Sequence, residues 1–136
     1  MIEDIRALAA RYTAAANRRD FKVAAATYAH DAALIAFGSE INSREAIEKA
    51  FGALFPTLDF IHQQCAAENI EIEGDVAHAT WSVTEYNRRS GEEKVALFLG
   101  RYTDQIRRQA DGTWLFSSRK LECVARMKID GVVRLG

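Results

Sequence analysis

The chain is poor in the residues that build covalent and metal frameworks. Its 136 residues include one proline and two cysteines, Cys65 and Cys123, which form no C-x-x-C pair. This spacing argues against a disulfide framework and against a cysteine metal cluster. The three histidines, His30, His62 and His78, have no metal-ligand spacing either. Because the sequence also lacks a phosphate-binding glycine loop and a dinucleotide fingerprint, we expect no metal and no cofactor.

The sequence also has no excess of positive or negative charge. The formal net charge is -1, from 18 basic and 19 acidic residues mixed along the chain. Such a mixture offers no field that would hold nucleic acid or an anionic membrane surface, so neither is an expected partner. The first residues, MIEDIRALAARY, carry acids and no long apolar run, which argues against a signal peptide and a membrane span. The prediction is a cytoplasmic protein with free thiols.

The first part of the chain carries clear signals for three helices. Apolar residues recur at three- and four-residue steps over Ile2–Arg18, which predicts an amphipathic helix. Asp20 is placed to cap a second, shorter helix, FKVAAATYA, and Ser43 begins a third over Arg44–Phe55. The lone Pro56 ends that third helix because proline cannot continue the hydrogen-bond pattern.

The hydrophobic period then changes to two, and turns such as Glu73-Gly74-Asp75 and Asp111-Gly112 separate the alternating segments. Short turns make neighbouring strands antiparallel. Helices followed by a long meander predict an α+β fold, in which curled strands under helices enclose a cavity for a small molecule. We predict a single domain over residues 1–136, with strands at Ala32–Phe37, Phe60–Ile72, Val76–Arg88, Glu93–Arg107, Thr113–Arg126 and, as an open alternative, Lys128–Arg134.

Alternation along the first long strand predicts which of its side chains face the cavity. Ile70 and Ile72 alternate with glutamates, so the even face should be the inner one. If no bulge intervenes, His62 and Gln64 point inward as well. His62 is then either a catalytic acid/base or a polar residue at a wet strand end, and the residues alone leave both interpretations open.

The next strand places a carboxylate at the end of its apolar row. The row that ends at Glu85 consists of Ala77, Ala79, Trp81 and Val83. Burial there would raise the pKa of the Glu85 carboxyl, and a pair of His62 and Glu85 would be a workable acid/base arrangement. The alternative is that Glu85 is exposed to solvent before Asn87.

Most apolar residues of the later strands are predicted to pack in the core. They are Phe98, Tyr102, Ile106, Trp114, Phe116, Leu121 and Val124. Arg101 and Arg119 are predicted to be solvated or on a subunit face, and His30 and His78 to lie at the surface.

Four stretches, in this order and spacing, resemble the SnoaL-like members of the nuclear-transport-factor-2-like superfamily, which includes scytalone dehydratase and ketosteroid-isomerase-type proteins. They are IRALAARYTAAANRRDFKVAAATYAHDAAL, NSREAIEKAF, DFIHQQCAAENIEIEGDVAHATW and GRYTDQIRRQADGTWLFSSRKL, and the resemblance covers about residues 2–126. It implies a cone-shaped, cystatin-like α+β barrel, in which three N-terminal helices cover the concave face of a strongly curved antiparallel sheet. It also implies a homodimer formed through the sheet.

The resemblance further implies a place for the chemistry. In dehydratase-like relatives, a histidine early in the strand after the third helix works with an aspartate at the end of the first helix. His62 matches that histidine by position, whereas the aspartate position is Asn17. An asparagine cannot ionise, so it can orient an imidazole ring but cannot raise its basicity. Glu85 is the candidate for the missing carboxylate.

Three functions follow as alternatives. The first is a cofactor-free lyase or isomerase of the dehydratase, isomerase or cyclase type, in which His62 moves a proton on a small hydrophobic carbonyl or hydroxy compound. Asn17, Tyr12 or Tyr86 would then bind the developing oxyanion. The second is a non-catalytic ligand-binding module, and the third is a dimeric interaction module whose cavity is filled by side chains. The other side chains predicted to contact a ligand are Phe60, Gln64, Trp81 and Phe98.

Overall fold

The computed structural model describes residues 1–131 and 133–136 of the chain. Three helices and six strands follow one another, with a short 3-10 turn, Phe55–Thr57, before the third strand. The helices are α1 (Ile2–Asn17), α2 (Phe21–Ala26) and α3 (Arg44–Leu54). The strands are β1 (Tyr28–Ala36), β2 (Ser39–Asn42), β3 (Leu58–Glu73), β4 (Val76–Arg89), β5 (Val95–Arg108) and β6 (Trp114–Ile129).

All six strands belong to one curved, unclosed sheet in the order β2-β1-β6-β5-β4-β3. The pairs are antiparallel except for β1 and β6, which run parallel. The helices pack against the concave face, where Tyr12 of α1 contacts Tyr102 of β5 and Phe116 of β6. The α+β class and the helix-covered curved sheet are therefore confirmed.

The helix ends follow the capping signals of the sequence. Asp20 accepts a hydrogen bond from the Val23 amide at 3.1 Å, and Ser43 accepts one from the Ala46 amide at 3.1 Å. Each satisfies an amide that has no partner inside its own helix. Both predicted caps are confirmed.

The prediction was wrong between the second helix and the third. α2 ends at Ala26 rather than running through FKVAAATYA, and β1 already begins at Tyr28. Pairing with β6 outweighs local helix propensity here, since Tyr28 pairs with Phe116 and the Phe116 amide donates to the carbonyl of Thr27. Strand β2 was not predicted, because its four residues follow a Phe-Gly turn instead of the usual Asn-Gly signal.

A bulge in β3 reverses the inner and outer faces along that strand. Ala67 pairs with Trp81 and Asn69 with Thr80, which leaves Glu68 as an extra residue. Odd residues therefore face inward from Ile61 to Ala67, and even residues face inward after Glu68. His62 and Gln64 were expected to point inward only if no bulge intervened; the bulge does intervene, and both side chains are exposed.

A second bulge, in β6, explains another error. Cys123 pairs with Gly100 and Ala125 with Leu99, so Val124 is extra. Its side chain is 68% exposed although it was predicted to lie in the core. β6 continues to Ile129, and none of the described residues beyond it forms the separate strand considered over Lys128–Arg134, a range in which Val132 lies outside the described residues.

The centre of the core contains a buried ion pair. Arg119, predicted to be solvated or on a subunit face, is 0% exposed, and its Nε donates to Oδ1 of Asp104 at 2.9 Å. The prediction was wrong because Arg119 belongs to the inner row of β6. Trp81 Nε1 donates to Oδ2 of Asp104 at 2.8 Å. The guanidinium carbon lies 3.6 Å from the ring centroid of Tyr102 and 4.2 Å from that of Phe116.

None of the described helices is long and apolar enough to cross a membrane.

We expect Arg119→Met to reduce the free energy of unfolding by about 3–5 kcal/mol, because it leaves the Asp104 carboxylate buried without its cation. Arg101→Met is the matched control, since Arg101 pairs with Glu68 on the exposed outer face at 2.8 Å and should cost about 0–1 kcal/mol. Urea titrations of both variants measure the difference. Equal losses of unfolding free energy in the two variants would show that burial of the Arg119–Asp104 pair does not increase its contribution to stability.

Candidate functional site

Five side chains from four elements form a polar group at one end of the cone. We call it the Glu85 cluster, and it comprises Asn17, Gln63, Glu85, Asn87 and Tyr102. Gln63, Glu85 and Phe98 lie side by side on the inner face in the paired register of β3, β4 and β5. Asn17 reaches the cluster from the last turn of α1.

Glu85 is a half-buried carboxylate held by two amides. Gln63 Nε2 donates to its Oε1 at 2.8 Å, and Asn87 Nδ2 donates to its Oε2 at 2.8 Å. Burial raises the pKa of Glu85 above its ordinary value, although both hydrogen bonds act in the opposite direction. Of the two alternatives left open for Glu85, the structure has the inward, half-buried position and not the solvent-exposed one. A carboxylate whose pKa is raised is a stronger base than an ordinary glutamate.

Asn17 fastens α1 to the free edge of the sheet. Its Nδ2 donates to the Gln63 carbonyl at 3.0 Å, and its Oδ1 accepts from the Gln63 amide at 2.7 Å. β3 is an edge strand, so these backbone groups have no neighbouring strand on that side. The Asn17 amide therefore makes the two hydrogen bonds that a neighbouring strand would otherwise make. An ionised aspartate could not make both, because it has no donor.

The cluster continues inward through Tyr102 to the buried ion pair. Gln63 Nε2 also lies 3.3 Å from the Tyr102 hydroxyl, and the ring of Tyr102 stacks on Arg119. Burial raises the pKa of Tyr102 well above its ordinary value, and the Arg119 cation opposes that rise. Burial likewise raises the pKa of Tyr12 against the opposing effect of Arg119, whose guanidinium carbon is 4.8 Å from the Tyr12 ring centroid.

The charges of Arg119 and Asp104 depend on each other. Burial raises the pKa of Asp104, and the neighbouring guanidinium opposes that effect. Burial acts to lower the pKa of Arg119, but the Asp104 carboxylate and the neighbouring tyrosines together outweigh it, and the pKa is raised. Arg119 is therefore a fixed cation beneath two tyrosine rings.

Three buried side-chain atoms of the described residues have no hydrogen-bond partner. They are Nη1 and Nη2 of Arg119 and the hydroxyl of Tyr28. Aromatic rings surround the guanidinium, so contacts with π faces replace part of the missing hydrogen bonding.

The structure separates the residues predicted for the site into two groups. Asn17, Glu85, Tyr12, Trp81 and Phe98 lie in or beside the interior. His62, Gln64 and Tyr86 lie on the outer face, and His62 pairs in register with Tyr86 rather than with Glu85. No His62–Glu85 pair is formed among the described residues. Phe60 is half-buried and lines a surface depression of about 410 Å³ beside residues 133–136.

The most important inner residues that sequence reasoning missed are Gln63, Asp104 and Arg119. Gln63 lies on the face opposite to the one expected, because the bulge at Glu68 was not recognised. Asp104 and Arg119 alternate with Tyr102, Ile106 and Phe116 on rows predicted to be apolar. An acid and a base at inward positions of adjacent strands were the available signal, since buried charges require partners.

Neither thiol nor any group of acidic and histidine side chains suggests a metal ion. No cluster of three potential metal ligands occurs within residues 1–131 and 133–136. Cys65 is half-buried beside Thr13 and Gln63, at 3.8 Å and 3.6 Å from Sγ, and burial raises the pKa of its thiol. A raised pKa makes it a poor nucleophile.

The curved, unclosed sheet and its N-terminal helices define the cone-shaped α+β class, with the Glu85 cluster at one end of its interior. The SnoaL-like domain model matches residues 1–120, and the chain therefore belongs to the SnoaL-like family, within the nuclear-transport-factor-2-like fold. The predicted resemblance is confirmed. Curated proteins include no significant match.

Solved structures share the fold at low sequence identity. A putative scytalone dehydratase from Novosphingobium aromaticivorans is 19% identical with a TM-score of 0.86, over 98% of this chain and 89% of that one. A ketosteroid isomerase-like protein from Erwinia carotovora atroseptica is 20% identical with a TM-score of 0.80, over 89% and 94%. A hexachlorocyclohexane dehydrochlorinase, LinA-type3, from Novosphingobium barchaimii is 16% identical with a TM-score of 0.83, over 98% and 93%.

We expect Asn17→Asp to lower the free energy of unfolding at neutral pH by about 1–3 kcal/mol, because the Gln63 carbonyl loses its donor and faces a carboxylate. Urea titration measures this loss. The loss should shrink in acid, where the introduced carboxyl is protonated and can donate again. Asn69→Asp, at an exposed position of β3, is the control. A neutral Asn17→Asp variant would contradict the proposed fastening of α1.

We expect Glu85→Gln to flatten the pH dependence of stability. The raised pKa means that the folded protein holds the Glu85 proton more tightly than the unfolded chain does. The resulting stabilisation is complete below the ordinary glutamate pKa and is lost as pH rises through the raised value. Urea titrations at about pH 4 and about pH 8 should show a smaller decrease in the variant than in the wild type.

Glu68→Gln is the control for this experiment, because the hydrogen bond from Arg101 lowers the pKa of Glu68. Replacing Glu68 should therefore not reduce the decrease in the free energy of unfolding between about pH 4 and about pH 8. The same flattening in both variants would mean that burial of Glu85 is not its cause.

Proposed function

We propose that the protein is a cofactor-independent lyase or isomerase that acts on a small hydrophobic carbonyl or hydroxy compound, with Glu85 as the general base. The observation that carries this proposal is the half-buried Glu85 carboxylate on the inner face, with a raised pKa and two orienting amides. Each carboxylate oxygen accepts one hydrogen bond from these amides and keeps a further lone pair for a substrate proton. This assignment replaces His62, which faces away from the interior.

The polar chain behind Glu85 supplies the complementary half of the chemistry. Proton removal next to a carbonyl places negative charge on the carbonyl oxygen, which needs hydrogen-bond donors. Tyr102 belongs to the cluster, the Tyr12 hydroxyl hydrogen-bonds to Tyr102, and the Arg119 cation stacks against both rings. In this scheme the tyrosines bind the oxyanion, and Arg119 makes them stronger donors than burial alone would allow. The aromatic side chain of Phe98 provides an apolar wall.

A non-catalytic ligand-binding module is the second candidate, and one observation favours it. The interior behind the cluster is closely occupied, because Tyr28, Phe116 and Arg119 are each 0% exposed. A ligand would then be held beside Glu85 without entering the centre of the cone. The protein would then bind its ligand without transferring a proton.

Exchange of α-protons in D2O separates the two candidates without knowledge of the natural substrate. We expect the protein to accelerate deuteration of small hydrophobic methyl ketones, followed by proton NMR, and Glu85→Gln to lose about 10²–10⁴-fold of that rate. His62→Gln is the matched control and should retain the wild-type rate. Ketone binding with no accelerated exchange would favour the binding module. If His62→Gln lost the deuteration rate and Glu85→Gln kept it, the assignment of Glu85 as the base would be overturned.

We also propose a homodimer formed through the outer face of the sheet. Tyr86, Leu97 and Met127 lie in register across β4, β5 and β6 on that face. Several apolar side chains nearby are unusually exposed: Tyr86 at 40%, Met127 at 46%, Ile129 at 38% and Val124 at 68%. An apolar patch on a sheet face is typical of an interface between subunits.

Sedimentation velocity tests the dimer. Met127→Glu places a charge in the centre of the patch and should shift the protein towards the monomer by at least about tenfold in dissociation constant. Lys120→Glu changes an exposed residue of the same strand, farther from the patch, and should leave the assembly intact. A wild-type monomer at all concentrations would refute this assignment.

A further inference from the structure

Phe37 adopts a backbone conformation that its side chain disfavours. It forms the turn between β1 and β2 with Gly38, and the two residues have φ values of 50° and 76°. Two-residue hairpin turns of this type favour Asn-Gly, because a non-glycine residue in the left-handed region is crowded by its own Cβ. The Phe37 ring is 64% exposed, so burial compensates little of this strain. Strain of this kind is common at functional sites.

The ring of Phe37 contacts Phe98, which is the inner-face residue directly opposite Glu85. The two ring centroids are 5.9 Å apart with planes at 70°, and Phe98 is 6% exposed. Phe98 pairs in register with Glu85. Its ring leans over Gly100, where a Cβ would collide with it. Phe98 therefore covers the inner face beside the carboxylate, and Phe37 extends the same aromatic wall towards solvent.

A cation holds Phe37 from a further direction. The guanidinium carbon of Arg126 lies 5.5 Å from the Phe37 ring centroid, and Arg126 pairs in register with Phe98. The exposed ring is thus placed by contacts with Phe98 and Arg126, despite the backbone strain. These contacts concern the ring itself, which distinguishes Phe37 from an incidental turn residue.

We propose that Phe37 is a specificity-determining residue of the Glu85 site, and that the wall of Phe37 and Phe98 selects ligands with a flat aromatic or conjugated ring next to the carbonyl group. Aromatic rings gain attraction from edge-to-face and offset-stacked contacts with another flat ring, beyond the area they bury. A saturated ring of the same size gains only the free energy of burying its surface. The proposal rests on the proposed function for the position of the carbonyl, because Glu85 is the neighbour of this wall.

The test uses acetophenone and cyclohexyl methyl ketone, two methyl ketones with the same number of non-hydrogen atoms. Dissociation constants come from chemical-shift titration, and deuteration rates in D2O come from the same samples. We expect the wild type to bind acetophenone about three- to tenfold more tightly. Phe37→Asn should abolish this preference by weakening acetophenone alone, with KM rising and kcat little changed. Asparagine suits the left-handed turn, so the melting temperature should not decrease.

The Glu85→Gln variant distinguishes the proposed function of Glu85 from the proposed specificity role of Phe37. It should lose deuteration but retain the binding preference for acetophenone. If the wild type shows the preference and Phe37→Asn loses it, but no exchange occurs, the proposed function fails and the specificity role stands. If exchange depends on Glu85 while Phe37→Asn keeps the wild-type preference, the specificity role fails alone.

Two further outcomes would also overturn the role of Phe37. One is a wild type that binds neither ketone or shows no preference between them. The other is a Phe37→Asn variant that melts more than about 5 °C lower and weakens both ketones equally, which is the signature of a structural contact.

Discussion

The buried pair of Asp104 and Arg119 is the interaction on which the interior depends. The two residues lie directly opposite each other in the register of β5 and β6, so a slip of either strand would separate them. Trp81 adds β4 through its hydrogen bond to Asp104, and Tyr12 adds α1 through its stack on the guanidinium. A buried ion pair is weak evidence for net stability, because desolvation offsets the attraction. Its clearer contribution is specificity, since it leaves one arrangement of four elements in which both charges have partners.

Local signals were sufficient for much of the fold. The caps at Asp20 and Ser43, the break at Pro56 and the alternation that ends at Glu85 each depend on a few neighbouring residues, and each was predictable. The errors occurred where distant pairing decides the conformation. Tyr28 belongs to a strand because Phe116 pairs with it, and Val124 is exposed because β6 carries an extra residue opposite β5. Neither partner is visible in the local sequence.

The candidate site shows the same division. Glu85 was predictable because its own strand is regular, whereas Gln63 was not, because the face it occupies depends on Glu68 five residues later. Arg119 was assigned to solvent on the general preference of arginine for the surface. Its burial depends on Asp104 and three aromatic rings, which come together only in the folded sheet.

Family membership accounts for the scaffold and leaves the chemistry to individual side chains. The family's histidine was expected early in β3, yet the inner positions nearest Asn17 are occupied by Gln63 and Cys65. Asn17 bonds to backbone rather than to a catalytic side chain. In this chain the first helix contacts β3 through Asn17, while the carboxylate of the Glu85 cluster comes from β4.

The bulge at Glu68 means that the pairing of β3 with β4, as well as the composition of β3, decides the lining of the cone. Odd-numbered residues just before Glu68 and even-numbered residues after it face the interior, because Glu68 itself has no partner in β4. If Glu68 instead took a place in the ladder opposite β4, the first half of the strand would turn over, which would carry His62 and Gln64 inside and expel Gln63. The interior of this chain is therefore lined by the Gln63 amide, and not by the His62 imidazole, because one residue of β3 stays outside the ladder.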